Sequence, residues 1–176
     1  MKRVLCLLCL SLLFLNISCI NDDTKWEESG TTEVVVGERV PVFTIIDNRG
    51  VLVDNNYLAG KTSVLVFFNT RCGDCRKELP VVQKLYDEYG DYEDIVFITI
   101  SLAEDAASIA DFWSKNGLTL PYSAQPDKKL YHLFAYKAIP MLYIIDRNQV
   151  IRYIHDDNPI VDFHTLCEEF NEVRIK

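Results

Sequence analysis

Val64-Leu65-Val66-Phe67-Phe68-Asn69-Thr70-Arg71-Cys72-Gly73-Asp74-Cys75-Arg76-Lys77-Glu78-Leu79-Pro80 is the stretch from which the rest of the chain can be read. It opens with an unbroken apolar run, Val64 to Phe68, as expected of a strand covered on both faces. Beyond it Leu79, Val82, Tyr86 and Tyr89 recur every three or four residues, with Val81 and Leu85 widening the stripe, which predicts an amphipathic helix. Pro80 lies inside that helix and predicts a bend, because it removes one backbone donor. The cysteines fall where the helix begins. Free amides and a partial positive charge at a helix N-terminus favour the thiolate, which is the nucleophilic form. Two intervening residues on a helical first turn bring the sulfurs to one side, and an exposed pair of this kind suits accepting and releasing a disulfide.

Two bland readings of Cys72-Gly73-Asp74-Cys75 compete with that one. A structural disulfide over so short a loop constrains little of the unfolded chain and makes an inefficient staple. A zinc half-site needs two further ligands, and His164-x-x-Cys167 is the only candidate pair. Cys167 falls on the apolar stripe Phe163, Leu166, Cys167, Phe170, Val173 of a final helix and reads as an inert core residue. His132, His155 and His164 are scattered and read as surface or core residues. No metal and no cofactor are expected.

Outward from this stretch the chain alternates. Val40 to Ile46 and Val51 to Val53 flank Asp47-Asn48-Arg49-Gly50 and predict a hairpin. Ile95 to Ile100 is a second buried strand, followed by a helix from Asp105 to Asn116 closed by Gly117. A short helix is expected over Asp127 to Phe134. Met141 to Asp146 turns through Arg147-Asn148 into Val150 to His155, ahead of the final helix. Strand, helix, strand predicts a parallel crossover, to which the later strand pair adds antiparallel neighbours.

From about Pro41 to Val173 the chain resembles thioredoxin-fold proteins of the TlpA/ResA type. The resemblance rests on the strand leading into Cys72-Gly73-Asp74-Cys75-Arg76-Lys77-Glu78-Leu79-Pro80, and on Ala138-Ile139-Pro140 before the strand Met141-Leu142-Tyr143-Ile144-Ile145-Asp146. It implies an α/β thioredoxin-like fold, a central mixed sheet flanked by helices, with an N-terminal β-hairpin extension. It also implies thiol-disulfide oxidoreductase activity through Cys72 and Cys75, with Glu78 handling the proton of the second thiol. Pro140 would be cis beside the cysteines, leaving the backbone of Ile139 to pair with a substrate strand. Several positions depart from the family pattern. Arg71 replaces tryptophan, Asp74 proline, Val66 a buried acid or amide, Ala138 glycine and Met141 threonine. Arg71 and Asp74 would tune the thiols in opposite senses. Asp74 lies between both sulfurs whereas Arg71 is freer to face water, which favours a more reducing couple. Electrons would then flow to disulfides of exported proteins, apocytochrome c among them, from an upstream thiol reductant.

The chain has 176 residues, room for one domain plus an appendage. Its 49% apolar content supports a packed core, and its net charge of −8 repels phosphate backbones, which sets nucleic-acid binding aside. Lys2 and Arg3 precede the apolar run Val4 to Leu15, too short for a permanent span and fitting a secretory signal over 1–18. Leu15-Asn16-Ile17-Ser18-Cys19 resembles a bacterial lipobox, with Asn16 where leucine is usual, and implies lipid attachment at Cys19. An ordinary signal peptide is the alternative, and Cys6 and Cys9 are discarded in either case. Residues 19–38 read as an acidic tether reaching about 25 Å from the lipid. Asp22-Asp23 fits either a surface-sorting tag or a solvated linker. The thioredoxin-like domain would occupy 39–176, held at the cell envelope in an oxidising compartment. Two rival functions remain at this point: a redox-inactive binding module of the same fold, and a peroxiredoxin-like peroxidase. Thr70 precedes Cys72 by two residues, not the three the peroxidase pattern has, and no proline stands nearby.

Overall fold

The computed structural model describes residues 33–175, so the leader, Cys19 and most of the tether lie outside the described residues. At the centre are two parallel neighbours, β3 (Thr62–Phe68) and β4 (Ile95–Ser101), paired from Thr62↔Ile95 to Phe68↔Ser101. Every residue of both strands is buried, so their apolar runs answer to two covered faces. The sheet is completed by β5 (Tyr122–Ser123), β6 (Met141–Ile145) and β7 (Ile151–His155), in the order β5-β4-β3-β6-β7. The β4–β5 pair is parallel, whereas β6 runs antiparallel to both β3 and β7. A separate antiparallel pair, β1 (Thr44–Ile46) and β2 (Leu52–Asp54), forms the expected hairpin. This is a thioredoxin-like α/β fold with an N-terminal two-strand extension.

Alternation along β3 divides the core in two. Val64, Val66 and Phe68 pack with Leu79, Val82 and Leu85 of α2 (Cys75–Tyr89), Ile109 and Trp113 of α3 (Ala106–Asn116), and Leu166 and Phe170 of α4 (Phe163–Arg174). Leu65 and Phe67 face the other way, against Phe43, Ile45, Val53, Phe134 and Tyr143. The hairpin therefore acts as a lid for the second face. Its turn is closed by Asp47, whose Oδ1 accepts from the amides of Arg49 and Val51, both at 2.9 Å.

The structure departs from expectation in several places. β1 begins at Thr44 instead of Val40, because the Phe43 amide donates to Asn55 Oδ1 (3.0 Å) instead of joining a ladder. A four-residue helix, α1 (Asn55–Leu58), capped by Asp54, was not foreseen, nor was the two-residue β5. The helix expected over 127–134 is only a 3-10 turn, Tyr131–Leu133. Asp127 turns back on the Lys129 amide (2.9 Å), and the Tyr131 hydroxyl is tied to the Ala138 carbonyl (2.6 Å), so the segment wraps instead of propagating a helix. At the N-terminal side, Val34 donates to the Phe134 carbonyl (3.0 Å) and Gly37 to that of Ile151 (2.8 Å). Backbone bonds to the fold thus begin ahead of residue 39, within the range 19–38 read as a tether. α2 continues through Pro80, which is exposed, to Tyr89.

Strand direction positions the site. Because β3 and β4 are parallel and β6 is antiparallel to them, the C-terminal ends of β3 and β4 meet the N-terminal end of β6. Three connections converge there: Asn69 to Asp74, Leu102 to Asp105, and Ala138 to Pro140.

Candidate active site

Cys72 sits in the turn before α2, and Cys75 is the first residue of the helix. The Cys72 amide donates to the Asn69 carbonyl (3.0 Å), and the Cys75 amide donates to Cys72 Sγ at 3.5 Å. The first sulfur therefore faces a backbone donor at the helix start, where partial positive charge collects. Exposure differs between the two. Cys72 is half-buried, whereas Cys75 has 0% of its surface exposed and belongs to the core with Val66, Phe68 and Leu79. The pair expected to be exposed is thus one accessible sulfur backed by a buried one, because the helix rotates Cys75 inward. Burial pushes the Cys75 thiol well above its ordinary range.

Ile139 and Pro140 lie against this loop. The Ile139–Pro140 peptide is cis, and Cys72 Sγ approaches the Ile139 carbonyl at 3.5 Å. Pro140 is buried, while Ile139 and Met141 are half-buried. Among the described residues the Ile139 N–H makes no hydrogen bond, so it is available to an added strand.

Glu78 lies one helical turn beyond Cys75, on the same face, and is 0% exposed. Neither carboxyl oxygen has a hydrogen-bond partner among the described residues. Burial alone raises it to about 8. A carboxyl with that affinity sits near neutrality and can both accept and return a proton. Val66, which stands where many relatives bury an acid, is an apolar wall, so Glu78 is the carboxyl the core places next to Cys75. Asp74 accepts from Lys77 Nζ at 2.7 Å, and Arg71 is exposed. The surface bridge to Lys77 screens part of the Asp74 charge.

Two residues that sequence reading missed hold the site. Glu104, 5% exposed, accepts from the Thr70 amide (2.8 Å) and from the Thr70 hydroxyl. Tyr131 donates to the Ala138 carbonyl and so braces the loop that carries Ile139 and Pro140. The signal for Glu104 was an acid three residues after a buried strand, but thirty-four residues separate it from Thr70. The remaining residues considered earlier stay apart from the site. Cys167 packs at the edge of the core and receives Asn171 Nδ2 at 3.4 Å, and His164 lies beside Glu168. His155 Nε2 is 2.5 Å from Glu169, and His132 stacks on Tyr136. Among the described residues no three His, Cys, Asp or Glu side chains converge as metal ligands would.

Residues 36–154 match the AhpC/TSA family. The chain belongs to that family. Among its relatives, the thioredoxin-like protein YneN of Bacillus subtilis is 32% identical over 124 residues, which are 68% of this chain and 70% of that protein. The thiol-disulfide oxidoreductase ResA of Bacillus thuringiensis is 26% identical over 113 residues, 64% of this chain and 65% of ResA. The chain thus spans about two-thirds of the length of ResA. Of solved structures, a candidate protein disulfide isomerase from Bacteroides thetaiotaomicron superposes with a TM-score of 0.76 at 29% identity, covering 81% of this chain and 92% of that one. StoA of Bacillus subtilis, at 23% identity and a TM-score of 0.63, covers 75% of this AhpC/TSA chain and 98% of its own, and shares the fold.

Proposed function

We propose that this AhpC/TSA protein is a thiol-disulfide oxidoreductase of the ResA type that reduces disulfides of exported proteins at the cell envelope. The observation that carries the reading is the accessible Cys72 sulfur, set between the Cys75 amide and the Ile139 carbonyl, with a buried thiol and a buried carboxyl behind it.

The chemistry follows from that order. A client strand pairs with the free Ile139 backbone, and the Cys72 thiolate attacks one client sulfur. The client S–S bond breaks, its second sulfur leaves as a thiolate and takes a proton from solvent, and a mixed disulfide forms on Cys72. Cys75 then loses its proton to the Glu78 carboxylate and attacks Cys72 Sγ. The first client sulfur leaves and is protonated, the client has gained two electrons, and Cys72–Cys75 is the disulfide. Burial keeps Cys75 protonated until a base takes the proton, which delays resolution until the client is in place. An upstream dithiol returns the pair to its reduced state. Apocytochrome c is a fitting client, as the TlpA/ResA resemblance implies. Lipid attachment at Cys19 and a tether ahead of Glu33 would keep this chemistry next to the membrane.

Trapping tests the reading. A full-length Cys75→Ser variant accumulates a client on Cys72 as a mixed disulfide that reductant releases, whereas Cys72→Ser traps nothing. Redox titration checks the direction. A potential near about −120 mV, the strongly oxidising extreme, would reverse it.

A further inference from the structure

A cavity of about 230 Å³ opens in the surroundings of Cys72, walled by Asn69 and Ile139, the two residues whose carbonyls contact Cys72. That volume lies below the roughly 300–1,000 Å³ of sites for small-molecule ligands and suits a single side chain. Any side chain that enters must belong to the segment whose sulfur reaches Cys72. In an extended segment, residues two apart share a face and stand about 7 Å apart, so the occupant is about two residues from the client cysteine.

The cavity is cationic in an acidic protein. Lys128 and Lys137 line it, and among the described residues no Asp or Glu does. Of the acids nearby, two are committed elsewhere, while Glu33 and Asp157 act on the Tyr131 wall from outside the lining. Asp127 pairs with Lys129 at 3.0 Å, and Glu104 is buried under Thr70. Lys128 is exposed and has no ion pair among the described residues. The rest of the wall is fixed: Tyr131 is tied to Ala138, Tyr136 stacks on His132 at 4.7 Å, and Ala103 is held at φ 51°.

A carboxylate already sits at the rim. Glu33 approaches Lys137 Nζ at 3.6 Å and accepts from the Tyr136 amide at 3.3 Å, while the neighbouring Val34 amide bonds to Phe134. One carboxylate of this chain is thus already accommodated beside Tyr136 and Lys137, and Lys128 is the cation without an ion pair among the described residues.

We propose that this cavity takes an acidic side chain of the client polypeptide, about two residues from the cysteine that Cys72 attacks, with Lys128 as its ionic partner. The proposal rests on the reductase reading and adds a substrate class to it. It also runs against the field of the whole molecule. A net charge of −8 should slow acidic clients, so a preference for them can only be local.

The test uses the reduced full-length chain and two synthetic peptides. Each has one cysteine capped by 2-mercaptoethanol, with Asp in one and Asn in the other two residues away. The Asp peptide should be reduced about 3- to 10-fold faster, and the preference should fade in high salt. Lys128→Gln should abolish the preference and Lys128→Glu should invert it. Equal rates with both peptides overturn the proposal while leaving the reductase reading intact. An undiminished preference in Lys128→Gln overturns the assignment to this cavity. Failure to reduce either peptide sinks both readings together.

Discussion

The helix that follows the redox loop and the connection that follows β4 each bury one carboxyl, and they treat it in opposite ways. Glu104 is met by an amide and a hydroxyl from the same threonine, so its oxygens are spent on holding Thr70 in place. Glu78 is more deeply buried yet meets no donor among the described residues. Burial without donors disfavours charge and leaves a group that exchanges its proton near neutrality; burial with donors makes a bracket. The two acids lie on connections that converge on one end of the sheet, so the contrast is set by donors and not by depth. One carboxyl holds the sulfur where it is, and the other is available to its neighbour.

The largest effect expected of this contrast is on stability. Because Glu78 is raised from 4.5 to about 8, the folded chain binds more protons than the unfolded one between those values. Stability of the reduced protein therefore falls as pH rises from about 5 to 8, by up to about 1.4 kcal/mol per pH unit. The Glu78 contribution levels off above about 8, and the raised Cys75 thiol adds a separate decline only above its ordinary 9.0. Asp105, Asp127, Asp146 and Asp162 are all lowered below 3.8, so their contribution changes only at more acid pH. Urea unfolding across this range should show the slope in the wild type and lose it in Glu78→Gln. An unchanged slope in the variant would mean that Glu78 is not the group responsible.

Next in size is the effect on turnover. Removing a proton acceptor beside a thiol that burial keeps protonated should slow disulfide resolution by about 100-fold in Glu78→Gln. The first attack by Cys72 should be little changed. Stopped-flow measurement separates the two steps, and the inflection near pH 8 in the resolution rate should vanish in the variant. Slowing of both steps alike would reduce Glu78 to a packing residue and erase the contrast with Glu104.

How much of this was legible beforehand depends on range. The strand into Cys72, the helix stripe from Leu79 and the turn at Asp47 are local patterns, and each folds as its periodicity and side-chain chemistry require. Ile139-Pro140 was placed beside the cysteines through resemblance, and antiparallel pairing of β3 with β6 is what brings it there. Glu78 was likewise singled out through resemblance, since a charged residue on an early helical turn reads by itself as solvated. Its burial was not foreseen, since inward rotation of Cys75 and Glu78 depends on where α2 docks on Val66 and Phe68. Glu104, Tyr131 and the lysine-lined cavity lay beyond reach. Their partners are set by strand register and by the wrapping of 127–138, neither of which any local periodicity announces.

Glu104 offers the smaller but sharper break. In Glu104→Ala the Thr70 amide and hydroxyl lose their acceptor in a partly buried loop, at a cost of about 1–3 kcal/mol. That loss comes from orphaned donors, whereas the Glu78 contribution comes from a proton taken up. Glu104→Gln keeps an acceptor oxygen and should recover part of it. The rate at which Cys75→Ser is trapped by a client should drop with Glu104→Ala, since a loosened Thr70 lets Cys72 drift from the Ile139 carbonyl. If Glu104→Ala instead reproduced the pH slope of Glu78→Gln, the two carboxyls would be acting as one coupled group, and donors would not be what separates them.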